Sequence, residues 1–137
     1  MTTEETRLHS FAKHEKCFAC SPVEKGGLGI EFSLYGEGVL RGRWVAEERF
    51  QSYDGILHGG IIAALLDAAM THCLLIQGIS ALTGRLSVRY HSSVRIGATL
   101  DVEAKVSRRV GRLFVVDAEI REGTDVLARA EGRLMTT

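Results

Sequence analysis

The sequence predicts an α+β domain in which a curved antiparallel sheet of about six strands wraps around one long central helix. Three observations lead there. From Ile61 to Ile76 nearly every residue is apolar, so the segment shows neither the polar face of a surface helix nor the alternation of a strand, and it is too long for an ordinary strand. Two shorter segments before it and four after it do alternate. The turns between them are short, which favours hairpins and antiparallel pairing.

Length and charge narrow the function classes. A chain of 137 residues is one domain's worth, able to bury roughly two thirds of its unfolded surface in a single core. Seventeen basic and seventeen acidic residues cancel, with no block of like charge, which argues against a nucleic-acid partner or an anionic membrane. The apolar run is also shorter than the ~20 residues a membrane span needs. Met1 to Arg7 is polar with no apolar core, so no secretory signal is expected and the location expected is cytoplasmic.

Residues 1–25 read as an N-terminal segment and 26–137 as the single domain. In the segment, His14, Cys17 and Cys20 share a three-residue spacing. Such a knuckle can hold zinc, but a closed structural site takes four ligands and no second knuckle follows. A redox dithiol would open a helix after a strand, and this one does not. The plainer alternative packs Phe18 onto the sheet with reduced thiols. No metal and no cofactor are expected. Cys73, on the apolar helix, reads as a small core hydrophobe.

Within the domain, Gly26-Gly27-Leu28-Gly29 leads into an alternating strand over Ile30 to Leu34, and Gly36 to Gly38 turns it back. Val39 to Val45 forms the second strand, with Leu40, Gly42 and Trp44 on one face. The loop from Phe50 to Gly55 then delivers the chain to the helix, with Gln51, Ser52 and Tyr53 able to reach a site at its mouth. At ~1.5 Å per residue the apolar helix is about 24 Å long and reads as buried on all sides. Beyond Gly78, the expected strands put Leu82, Gly84, Leu86, Val88 and Tyr90 on one face, with Thr83, Arg85, Ser87, Arg89 and His91 on the other. Leu100 to Val106 follows, a turn over Arg109 to Arg112 leads into Leu113 to Ile120, and Glu122 to Asp125 turns into Val126 to Met135. A helix wrapped by a sheet on one side needs a cover on the other. One domain has no layer to spare, so a second copy is expected to supply it.

The helix also carries the site. Asp67 is its only full charge, and an unpaired carboxylate is costly to bury, so it must face a partner, another chain or a water-filled cleft. At the helix start, Gly59 and Gly60 leave the first-turn N–H groups unshielded, where the dipole favours negative charge and a thioester oxygen becoming an oxyanion would fit. The alternative is that the glycines only end a loop and His58 bonds the backbone. Asp67 follows Gly59 by eight residues, so the two lie about 12 Å apart along the helix, too far to serve one carbonyl. Two antiparallel helices about a twofold axis would bring Asp67 of one chain opposite Gly59 of the other.

The order of elements, His58-Gly59-Gly60 opening the helix, the acid nine residues after the histidine, and the strand Thr83-Gly84-Arg85-Leu86-Ser87-Val88-Arg89-Tyr90 resemble a hotdog-fold acyl-CoA thioesterase of the PaaI-like, phenylacetate-pathway branch. The resemblance covers about residues 26 to 135. It implies a homodimer or a tetramer of dimers that hydrolyses acyl-CoA without a metal. Under it, Asp67 is general base or nucleophile, and the Gly59 N–H, with Gly60 beside it, polarises the carbonyl. His58 orients loop and substrate, and Thr83 holds the attacking water. Many relatives carry an asparagine six residues before the histidine; that position is Ser52 here, preceded by Gln51, and either can substitute. Arg108, Arg109 and Arg112 are candidates for the phosphates of coenzyme A, the alternative being solvated charges on a hairpin.

A non-catalytic acyl-CoA binding or sensor domain stays open, since fold alone does not fix function, although no DNA-binding segment accompanies it. A hydratase on the same fold would want a different spacing of histidine and acid. Residue types alone do not name the acyl group, and His72 and Met70 can line its pocket or belong to the core.

Overall fold

The computed structural model describes residues 17–36 and 38–137. Strands β1 (Phe32–Tyr35) and β2 (Val39–Val45) form the first hairpin, a single 3-10 turn (Glu48–Phe50) follows, and helix α1 spans Gly59–Leu75. Then come β3 (Ala81–Tyr90), β4 (Thr99–Val110), β5 (Leu113–Glu122) and β6 (Asp125–Thr136). All six strands join one antiparallel sheet in the order β1-β2-β4-β5-β6-β3, so β3 leaves the helix and crosses to the far edge.

The inner face of the sheet is a row of small and branched apolar residues. Leu100, Val102 and Ala104 of β4, Val116 and Ile120 of β5, and Ala128 and Leu134 of β6 are all buried against the helix. From α1, Leu65, Leu66, Met70 and Leu74 fill the space between. Each fully buried side chain of this size contributes about 1.5–3 kcal/mol. Gly132 is part of that fit: a Cβ there would run into the Met70 sulfur, so the missing side chain lets α1 press onto β6. On the outer face, charged pairs cross the strands, as in Arg41–Glu103 at 2.7 Å and Arg43–Asp101 at 3.0 Å. Among the described residues no helix is long and apolar enough to cross a membrane.

Several sequence expectations change. The helix is not buried all round: Gly60, Ala63, Ala64, Asp67 and Thr71 form one stripe at three- and four-residue spacing that stays open in the single chain. Much of the remaining cover comes from within the chain. Ala19, Cys20, Leu28 and Ile30 are buried in the same core, held by Leu28 N–H on the Phe18 carbonyl, Ile30 N–H on that of Ala19, and Trp44 Nε1–H on that of Leu28. Phe18, expected on the sheet, is instead 52% exposed, because its neighbours take the inward positions.

A further change is in β3. Its pairing with β6 slips between Thr83 and Arg85, leaving Gly84 as the extra residue of a bulge. Thr83 lies opposite Leu134, Leu86 opposite Gly132, and Tyr90 opposite Ala128, all inner-face positions. Strict alternation put Thr83 on the opposite face from Leu86 and Tyr90, and the bulge reverses that assignment. Leu82 turns outward and is 69% exposed. A second slip, between Val106 and Arg108, carries β4 on to Val110, so Arg108 and Arg109 belong to the strand and the turn shortens to Gly111-Arg112.

Candidate active site

The loop before the helix is fixed by its own backbone. Ser52 N–H bonds the Ile56 carbonyl, Leu57 N–H that of Val94, and His58 N–H that of Phe50. Gln51 is committed to the same task, its Oε1 accepting the Gly55 N–H at 3.0 Å. Of the two candidates for the absent asparagine, it is Ser52 that lines the cavity at the helix mouth, a space of about 370 Å³ bordered also by Tyr53, Leu57, Gly59, Ile62 and Tyr90.

His58 is the N-cap of α1, and its Nδ1 accepts the Gly60 N–H at 2.8 Å. An imidazole nitrogen that accepts carries no proton, so the ring hydrogen is on Nε2, on an exposed edge that can donate. Gly60 makes this possible through space rather than backbone angle, since a Cβ there would come within 3.0 Å of the His58 ring. The His58 carbonyl accepts from Ile61 and Ile62, and the Gly59 carbonyl accepts the Tyr90 hydroxyl at 2.9 Å. Among the described residues nothing accepts from the Gly59 N–H. With Gly60 engaged by His58, the donor at the mouth is that of Gly59.

Asp67 lies two turns further along the open stripe, half-buried, and Thr83 Oγ1 donates to its Oδ1 at 2.6 Å. Thr83 itself is exposed in the single chain. A second cavity of about 290 Å³ begins one turn beyond, lined by Thr71, Leu75, Ile79, Ala81 and Leu82 among others. The structure therefore assembles two groups, His58 with Gly59 and Gly60, and Asp67 with Thr83, and keeps them about 12 Å apart on one helix.

The arginines form a third group. Thr83, Leu134, Phe114 and Arg109 make one row across β3, β6, β5 and β4, so Arg109 is three strands from Thr83, about 14 Å at the usual strand spacing. Arg109 bonds the Gly111 carbonyl and its guanidinium stands 4.9 Å over the Phe114 ring, while Arg112 bonds the Thr136 carbonyl. Arg108 is exposed.

Of the knuckle, His14 lies outside the described residues. Cys20 Sγ is 3.9 Å from Nδ1 of His72, which is 4% exposed and packs on Phe32. The hydrogen bond with Cys17, then burial, push the Cys20 thiol far up from its ordinary range, and burial raises Cys73 to about 11. Among the described residues, no three of His, Cys, Asp or Glu gather as metal ligands. His72 and Met70 are core residues, not pocket lining. Tyr90 is the residue sequence reasoning missed: a tyrosine ending an alternating strand carries no local sign that its hydroxyl reaches a helix start.

The family model described as the thioesterase superfamily matches residues 54–129, a span that holds both Gly59 and the Asp67–Thr83 pair. The chain belongs to the thioesterase superfamily. Within it, the chain is 24% identical over 98 residues to mouse acyl-coenzyme A thioesterase THEM4, a match spanning 69% of this chain but only 42% of that protein. The hotdog fold expected from the sequence is the fold found: Escherichia coli PaaI, from the phenylacetic acid degradation operon, superposes with a TM-score of 0.83 at 20% identity, covering 100% of this chain and 96% of PaaI. A Streptococcus mutans protein bound to acetyl CoA superposes at 0.73 with 22% identity, over 79% of this chain and 88% of that one.

Proposed function

We propose that this superfamily member hydrolyses acyl-CoA thioesters to the free acid and coenzyme A, at two identical sites shared across a homodimer. The observation that carries the reading is the Thr83–Asp67 hydrogen bond on the one open stripe of the helix that also begins with the Gly59 N–H. In this reading Asp67 acts as general base or nucleophile. A water accepted between Asp67 and the Thr83 hydroxyl attacks the carbonyl carbon, its proton passes to Asp67, and the developing oxyanion is met by the Gly59 N–H of the facing chain. Collapse of the tetrahedral adduct breaks the C–S bond and releases the thiolate. His58 holds the Gly59–Gly60 turn and offers Nε2–H toward the substrate, and Ser52 lines the path.

A pair of subunits is part of the chemistry. Base and oxyanion donor each need to be within about 3–4 Å of the reacting atoms, directly or through one water, and one helix separates them by about 12 Å. Antiparallel helices meeting at the open stripe close that gap twice over, and two such dimers can associate further. The CoA-containing relative and the acyl-CoA thioesterase similarity support the substrate class. Arg108, Arg109 and Arg112 are the cations proposed to meet its phosphates.

The test is complementation. An Asp67→Asn chain and a His58→Ala chain each give a homodimer with two damaged sites, whereas their heterodimer has one site with both defects and one with neither. Recovery toward half the wild-type rate in isolated heterodimers supports the shared site. No recovery, with heterodimer formation demonstrated, means that each chain carries its own site. A wild-type protein that binds acyl-CoA and turns over none of a short, medium, long and aromatic panel is a binding protein rather than an enzyme.

A further inference from the structure

We infer that Tyr90 is a positioning residue for the oxyanion donor; the inference rests on the hydrolase reading for its catalytic consequence, but its structural half stands independently. The two peptides at the start of α1 have four polar groups. The His58 carbonyl accepts from Ile61 and Ile62, and the Gly60 N–H goes to His58 Nδ1. The Gly59 carbonyl takes the Tyr90 hydroxyl. The Gly59 N–H has no acceptor among the described residues, and Gly59 lines the cavity at the helix mouth.

Because a peptide group is planar, fixing its carbonyl and its N–H fixes its plane. The Gly59–Gly60 peptide is fixed at both poles, at 2.9 Å by Tyr90 and at 2.8 Å by His58. Both residues are glycines in a first helical turn, where the backbone has the most freedom and the N–H groups lack intrahelical partners. An oxyanion donor works only if its direction is set before the charge develops. The Gly59 N–H belongs to the preceding His58–Gly59 peptide, whose carbonyl is held by Ile61 and Ile62, and the phenol, by holding the next plane, limits rotation about the Gly59 Cα that joins the two. Its ring also covers Gly59, lying 3.5 Å from where a Cβ would be. The same strand therefore serves both groups of the site, with Thr83 on the acid and Tyr90 on the donor.

Tyr90→Phe keeps the ring and removes only the hydroxyl. In the full chain, the expected result is a fall in kcat of about 5- to 10-fold, the size of one lost hydrogen bond, with KM within about twofold by the same scale and a melting temperature lowered by no more than about 4 °C. Amide hydrogen exchange at Gly60, whose N–H is bonded to His58 Nδ1, read by NMR without substrate, is expected to quicken by a similar factor. Unchanged exchange in Tyr90→Phe overturns the clamp. Faster exchange with unchanged kcat, or a change in KM alone, overturns its catalytic role. Faster exchange in a protein whose wild type hydrolyses no acyl-CoA keeps the clamp and rejects the hydrolase reading, so the two failures are told apart.

Discussion

Asp67→Asn separates chemistry from folding more sharply than any other change to this chain. The substitution keeps the shape and the oxygen that accepts from Thr83 but removes the charge. A hydrogen bond to a carboxylate contributes about 1.5–3 kcal/mol and a neutral one about 0.5–1.5, so roughly 1 kcal/mol of the 2.6 Å contact is lost. Against this, a half-buried carboxylate that a second subunit would cover further no longer has to be desolvated, a term of opposite sign and similar size. The two offset each other, and the melting temperature should move by no more than about 4 °C in a domain of this size.

Catalysis has no such compensation. Loss of a positioned base costs about 100-fold or more in kcat. The assay is thiol release from acyl-CoA, alongside thermal unfolding followed by circular dichroism on the same preparations. Near-normal turnover would show that Asp67 is structural and the mechanism wrong. A fall in melting temperature beyond about 10 °C accompanying lost turnover would also refute the reasoning, because the charge would then be holding the fold.

Gly60→Ala should leave stability within about 1 kcal/mol, the helix gain from alanine offsetting the weakened cap, while turnover drops because the new Cβ displaces the His58 ring from 3.0 Å; unfolding curves and kcat on one variant decide this. Arg108→Glu should raise KM for acyl-CoA by up to about fivefold, the range of an exposed ion pair, with the effect shrinking in salt and absent for acyl-pantetheine, which lacks the nucleotide phosphates. Equal effects on both substrates would remove Arg108 from the phosphate site.

Much of the fold was legible because burial writes itself into periodicity. Helix α1 begins at the glycines that marked it, and β2 has the bounds its alternation implied. What periodicity did not convey was the cover on the helix. Ala19, Cys20 and Leu28 are scattered through an irregular segment with no period to read, yet all are buried. The open stripe was hidden for a related reason: Gly60, Ala63 and Ala64 count as apolar or neutral in sequence whether they face a core or a second chain. In the site, the spacing of His58, Gly59 and Asp67 already held the two-group geometry. Gln51 and Ser52 could be told apart only by a loop hydrogen bond that no spacing encodes.

The bulge at Gly84 explains why the strand opposite the helix was misread and why it suits the site. Thr83 and Tyr90 are seven residues apart, an odd number, so a regular strand would point them to opposite faces. Both are nevertheless needed inward, one bonding Asp67 and the other the Gly59 carbonyl. A single unpaired residue between them shifts the phase once and brings both to the helix side while the pairing with β6 continues at either end. The apolar side chains that sequence reading would have turned inward then divide, Leu82 going outward and Leu86 staying in. One irregularity in an edge strand therefore sets the partner of Asp67 and that of the Gly59 carbonyl together, and a regular strand of the same composition would hold at most one of them.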